Sequence, residues 1–344
     1  MNYYSPYNNN QNNTQPRSPQ GEASAEAVFA QKYRARRAGN AIGGGLIIFS
    51  LLPWLLSFAL DFMPLLMGFD AKSFYTFFAT APGLWIYQAV VSFFIFTLPF
   101  VLASVFYGQR PLSALRMGAP KKGMALPLIL AGLGASGVAN MAAGMFESVV
   151  NYTDNTVEEM IGALPTGFWG VVLTVVTVCV VPALAEEFAF RGIVLGLLRN
   201  VSEPFAVVVS ALLFGLMHGN LSQIPSSFLL GLILGYAVVA TNSIWPACAI
   251  HFLSNGISVV VTYLSKYLTN EALMALNIMM YAIMLGLGII GFILFVKKNR
   301  DAFRLSHEQG LSGKGKAAAF FLSPCIIIFL IITIIETVLT EFTI

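Results

Sequence analysis

Two adjacent glutamates, Glu186 and Glu187, stand in the apolar stretch Val181-Pro-Ala-Leu-Ala-Glu-Glu-Phe-Ala-Phe-Arg191. Carboxylates at bilayer depth are costly and are kept where they serve a function. Two further apolar stretches supply partners for acid–base chemistry, Phe214-x-x-x-His218 and His251-x-x-x-Asn255, and between them they hold two of the chain's three histidines. Glu187 and Arg191 are four apart with the acid first, so they share a helix face and are expected to pair. That pairing leaves Glu186 without a local cation. A carboxyl in apolar surroundings takes up a proton more readily than one in water, which suits a general base at neutral pH. Glu186 is therefore the first candidate for the base and Glu187 the second. His218 would join Glu186 in orienting and deprotonating a water. His251 and Asn255, also four apart, can aim two donors at one point, as an oxyanion hole requires. Phe214 reads as the packing residue that fixes His218. Pro182, one turn before Glu186, is expected to kink the helix and free a backbone carbonyl beside the site.

These residues need helices to hold them at depth. The chain is 57% hydrophobic and 10% charged, with a mean hydropathy of +0.76, whereas a soluble domain carries about 25% charged residues. The composition implies an all-α, polytopic transmembrane bundle. Nine apolar stretches have roughly the length needed to cross a bilayer: 40–60, 83–107, 124–146, 167–190, 204–219, 226–240, 244–264, 274–296 and 317–339. The fourth continues as helix to about Arg199, and the fifth and sixth are short, so the expected count is eight to nine spans. Each alone is ambiguous, but the site residues fall on the fourth, fifth and seventh. The stretches also carry Gly192-x-x-x-Gly196, Gly215-x-x-x-Gly219 and Gly231-x-x-x-Gly235, a spacing that lets helix backbones approach closely in lipid. The site is thus expected in the inner four helices.

Basic residues give the orientation, because cytoplasmic loops collect them. Lys32, Arg34, Arg36 and Arg37 precede the first span, Arg110, Arg116, Lys121 and Lys122 follow the second, Arg199 follows the fourth, and Lys297, Lys298, Arg300 and Arg304 follow the eighth. Strict alternation through nine spans puts all of them on one side, opposite Glu147, Asp154, Glu158 and Glu159. A multi-pass protein of the cell membrane is expected, with its amino terminus cytoplasmic and its carboxy terminus outside. Counted at about 1.5 Å per residue from the basic ends, Glu186 and His218 lie about 20 Å deep and His251 about 10 Å, which predicts one cavity open to the cytosol. The net charge of +3 then reflects topology, with no nucleic-acid partner implied.

Along the chain, 1–24 is an Asn-, Gln-, Ser- and Pro-rich segment expected to be disordered. Residues 25–38 form a basic juxtamembrane segment, read either as a helix lying on the inner leaflet or as a stop-transfer flank. The first three spans occupy 39–164, the catalytic core 165–265, and the last spans 266–344, with a cytoplasmic linker at 297–316 that holds the surface residue His307. No removable signal peptide is expected. Cys179, Cys248 and Cys325 lie in apolar spans without CxxC spacing and read as buried thiols.

With these residues in hand, the chain resembles the CPBP family, the CAAX proteases and bacteriocin-processing or Abi proteins of the type II CAAX prenyl endopeptidase superfamily. Its motifs EExxxR, FxxxH and HxxxN stand here in family order as Glu186-Glu187-x-x-x-Arg191, Phe214-x-x-x-His218 and His251-x-x-x-Asn255. The resemblance covers about residues 165–265. It implies an intramembrane endopeptidase acting on a membrane-associated protein or peptide in the bilayer, by CAAX-type or bacteriocin-like processing. In such enzymes a glutamate and the first histidine activate water, while the second histidine and the Asn stabilise the oxyanion. Glutamate catalysis without a cofactor is the favoured reading. A zinc metalloprotease using Glu186, His218 and His251 is the alternative, although there is no His-Glu-x-x-His helix and catalytic zinc needs about three protein ligands. From another class, a non-catalytic bacteriocin-immunity or scaffold membrane protein of the same fold remains open, and a proton-coupled transporter is a third.

Overall fold

A backbone in hydrocarbon must satisfy its hydrogen bonds internally, and a helix does so within one segment. The computed structural model describes residues 25–68, 70, 76, 81–109, 115–150, 164–221, 223–299 and 310–342. All regular structure among them is helical. The expected disordered segment 1–24, the acidic residues Asp154, Glu158 and Glu159, and the basic residues Arg110, Arg300 and Arg304 lie outside the described residues, as does His307.

In chain order the helices are α1 (Ala25–Met67), α2 (Ala81–Tyr107), α3 (Ala125–Val150), α4 (Gly167–Leu198), α5 (Glu203–Leu216), α6 (Gln223–Thr241), α7 (Trp245–Ser265), α8 (Asn270–Lys298), α9 (Gly313–Phe321) and α10 (Pro324–Phe342). Seven are long and apolar enough to cross a membrane, or eight if the bent pair α9–α10 makes one span. The bundle of eight to nine spans is thus borne out near its lower bound.

Two expected spans differ from the reading above. Residues 25–38 run without a break into the first span. They are the first turns of α1, where Ala35 packs with Val201 and Ala319 and buried Gln31 accepts a hydrogen bond from the Leu311 amide at 2.7 Å. The ninth stretch is broken before Pro324, where α9 and α10 meet at 74°, because proline cannot supply the N–H that would continue α9. The fifth, α5, has only 14 residues, about 21 Å against a hydrocarbon core of about 30 Å. It turns back through Gly219, at φ +64°, into α6. A hairpin that starts and finishes on one face leaves the sidedness of later helices unchanged.

Small residues set the closest approaches. A Cβ added at Gly215 would meet the Ile224 carbonyl oxygen at 2.9 Å, and one at Gly231 would meet the Ala211 Cα at 2.9 Å, so α5 and α6 are held backbone to backbone as GxxxG spacing suggested. Gly134 and Gly288 bring α3 and α8 together in the same way without that spacing. The basic loop after α2 is tied to the turn between α6 and α7 by Ile244 N–H to the Arg116 carbonyl at 2.9 Å and Lys121 N–H to the Thr241 carbonyl at 3.3 Å. These ends share one face of the bundle.

Candidate active site

Helix α4 presents the carboxylates from a seven-residue α-helical piece, Val181–Glu187, held between two wider stretches, Val175–Val180 and Phe188–Val194, that bond from i to i−5. Such widened turns are frequent at functional sites. Pro182 marks the first junction. It has no N–H to return to the carbonyl of Val178, four residues before it, and that carbonyl accepts instead from Asn255 Nδ2 of α7 at 2.9 Å. The freed carbonyl expected from Pro182 therefore exists, and Asn255 holds it. One amide hydrogen of Asn255 is engaged there; the side chain also lines the cavity.

The two glutamates differ. Glu187 is fully buried, 3.2 Å from Arg191 Nη1, and Arg191 is 1% exposed. The same Glu187 Oε1 accepts from His251 Nδ1 at 2.9 Å. Glu186, 8% exposed, points into a cavity of about 800 Å³. Its Oε2 lies 3.9 Å from His251 Nε2, beyond direct hydrogen-bond length. His251 thus stands between the acids, fixed by one and facing the other.

His218 lies just past the end of α5, where its Nδ1 is 2.8 Å from the Phe214 carbonyl. A carbonyl only accepts, so Nδ1 carries the hydrogen, and the neutral ring has its lone pair on Nε2. That nitrogen is the one left for chemistry, and His218 lines the cavity with Glu186 and His251.

Phe214 organises all three motifs. The Arg191 guanidinium carbon sits 4.1 Å from its ring centroid, and the rings of His218 and His251 meet it edge-on with centroids 5.1 and 6.0 Å away. The packing role given to Phe214 is therefore wider than fixing one imidazole. It also supports the arginine that pins Glu187.

The cavity brings together Glu186, His218, His251 and Asn255, with Phe214 in the wall and Glu187 and Arg191 sealed behind. The zinc set Glu186, His218 and His251 shares the cavity, yet among the described residues no group of three His, Cys, Asp or Glu side chains is placed to hold a metal ion.

The direction of the cavity departs from the depth count. Away from the site its wall runs through Gln88 of α2, Asn140 of α3, Gln223 of α6 and Ser258 and Thr262 of α7. All lie toward the helix ends opposite the basic loops, and depth from one end could not say which end was filled. Gln88, Asn140 and Gln223 were passed over in the sequence, although a polar side chain in or beside an apolar span is the same signal that found the glutamates. Glu336, in the ninth stretch, was passed over too. It lines a second cavity of about 660 Å³ that also reaches His218, with Ser50 and Trp54 of α1.

Comparison with known proteins follows this geometry. Residues 168–257, which include all three motifs, match the family model of type II CAAX prenyl endopeptidase Rce1-like proteins. Over 102 residues the chain is 32% identical to the membrane-embedded CAAX protease MroQ of Staphylococcus aureus (strain USA300), a stretch that covers 28% of this chain and 41% of that protein. No solved structure matches the chain. The resemblance read from the motifs is borne out over that segment.

Proposed function

Starting from a segment that matches the type II CAAX prenyl endopeptidase Rce1-like family, we propose that this multi-pass protein is an intramembrane endopeptidase that hydrolyses a peptide bond in a membrane-associated protein or peptide. The observation that carries this reading is the division of labour between neighbours: Glu187 is sealed by Arg191 and His251, while Glu186 faces the cavity beside His218 and His251. Glu186 takes a proton from a water whose oxygen adds to the scissile carbonyl carbon. His218, with Nε2 unprotonated, accepts the second hydrogen of that water and orients it. The negative oxygen that forms is met by Nε2–H of a doubly protonated His251, whose Nδ1–H is held by Glu187, and by the second amide hydrogen of Asn255. The carbon–nitrogen bond then breaks, and the proton held by Glu186 goes to the departing amine.

Glutamate catalysis is favoured over a metal centre because among the described residues no three His, Cys, Asp or Glu side chains converge as catalytic zinc requires. Elemental analysis of purified, chelator-washed and still active protein tests this. Stoichiometric zinc overturns it.

For the function itself, purified protein is incubated with membrane proteins extracted from cells lacking the chain, and new peptide termini are identified. Wild type is expected to create termini that Glu186→Gln and His218→Ala do not, with all three proteins folded. Cleavage that persists in Glu186→Gln overturns the assignment of the base. If wild type creates no termini, the immunity or scaffold reading takes its place.

A further inference from the structure

The core helices are mainly apolar at one end and polar at the other. Between the carboxylates and the basic ends, α4 contributes Phe190, Ile193, Val194, Leu197 and Leu198, all fully buried. Leu213 of α5, Leu234 and Val238 of α6, and Ala247 and Ile250 of α7 fill the same half at 0% exposure. Among the described residues these ten side chains, with Arg191 held by Glu187, separate the basic face from Glu186, and the cavity of about 390 Å³ in that half, at Leu115, Met117, Phe188 and Trp245, is lined almost wholly by apolar side chains. In the other direction the cavity side of α7 becomes more open: His251 and Ser254 are buried, Asn255 is half-buried, Ser258 is exposed and Thr262 is half-buried. The cavity follows this side of the helix. Its wall offers the neutral donors and acceptors Ser92, Asn140, Gln223, Ser226, Ser258 and Thr262, with no Lys or Arg. The second cavity at His218, between α1 and α10, also lies in this half, at Ser50, Trp54 and Glu336.

We propose that the site is served from the face opposite the basic ends, which the distribution of Lys and Arg makes the extracytoplasmic face, and that its substrates are uncharged, extended peptide segments at the outer leaflet. The inference deepens the protease reading and rests on it for the word substrate. A wall of hydroxyl and amide groups matches the hydrogen-bonding needs of an extended backbone, and a wall without cations gives no hold to a free carboxylate. The scissile stretch therefore lies within a chain, and the cut is internal. This opening stands in place of the cytosolic one expected from the depth count and implied by the family resemblance.

Thiol labelling in cells tests the proposal without any need for cleavage. Single variants Ser258→Cys, Gln88→Cys and Lys121→Cys are made in the native chain, whose Cys179 and Cys248 are buried and Cys325 half-buried, with the unmodified chain as background. Intact cells and inverted membrane vesicles are treated with a membrane-impermeant polyether maleimide, and labelling is read as a mobility shift. Ser258→Cys and Gln88→Cys are expected to label in intact cells, at least several-fold above background, and Lys121→Cys only in inverted vesicles. Labelling of the two wall positions only in inverted vesicles overturns the proposal, and so does absence of labelling from both sides. Adding Glu186→Gln is expected to leave the pattern unchanged, so failure of the protease reading and failure of this one give different results.

Discussion

The four core helices α4 to α7 are made of two materials, and the boundary between them runs between Glu186 and Glu187. On the basic side most inward positions are aliphatic or aromatic and fully covered, with Arg191, Ser210 and Thr241 buried among them. On the other side the same helices turn serine, threonine, asparagine and glutamine inward. Glu187 belongs to the packed half, with its charge met by Arg191 and His251. Glu186, one residue earlier, belongs to the polar half. One peptide bond is enough to turn one acid into the packing and its neighbour into the cavity, because successive helix positions differ by about 100°.

The strongest test of that boundary replaces each acid in turn. Glu186→Gln keeps size and hydrogen bonding in the cavity but removes the base, so the rate of peptide hydrolysis is expected to fall by about 10²- to 10⁴-fold. Its thermal unfolding midpoint should stay that of wild type, as read by light scattering or near-ultraviolet circular dichroism in detergent. Glu187→Ala should act the other way, leaving Arg191 buried without its acid and costing on the order of 3–5 kcal/mol of stability. The double change Glu187→Leu with Arg191→Leu should recover much of that loss without restoring activity, because His251 loses its anchor as well. If Glu187→Ala unfolds like wild type, the packed half is not what holds the pair.

A smaller effect concerns Asn255. Asn255→Ala strands the Val178 carbonyl, which should cost about 1–3 kcal/mol. Pro182→Ala restores an N–H at the position that can reach that carbonyl, so the cost of Asn255→Ala should shrink in that background. A double-mutant cycle on unfolding midpoints reads the coupling, and purely additive effects would contradict the Pro182–Asn255 link. Smaller again is Phe214→Leu, which keeps an apolar side chain but removes the ring face under Arg191. A loss of about 1 kcal/mol is expected, together with a several-fold fall in the hydrolysis rate as both imidazoles lose their edge contacts.

Much of this was legible in the sequence. The expected stretches 83–107, 124–146 and 244–264 fall within a few residues of α2, α3 and α7, because long apolar runs leave the backbone no alternative to helix. The pairing of Glu187 with Arg191 followed from spacing alone, since four residues bring side chains onto one face in any helix. What spacing could not carry was anything between helices. That His251 sits between the two acids depends on the rotation of α7 against α4, which no motif records. The outward cavity depends on what fills the opposite end, and ten apolar side chains spread over four helices read, one by one, as ordinary membrane residues. The 74° break before Pro324 falls inside the expected stretch 317–339, whose apolar composition gives no sign of a bend apart from the proline itself. Glu336 went unremarked because it had no motif around it, although its cost in an apolar span carried the same message as Glu186.

The role of Glu186 is tested most directly by one comparison in cells: the terminal peptides of all membrane and secreted proteins, measured quantitatively with wild type and with Glu186→Gln expressed at equal levels. A set of termini present with wild type and absent with Glu186→Gln is the predicted result. Identical termini in the two strains would contradict the claim that Glu186 activates water in a peptidase.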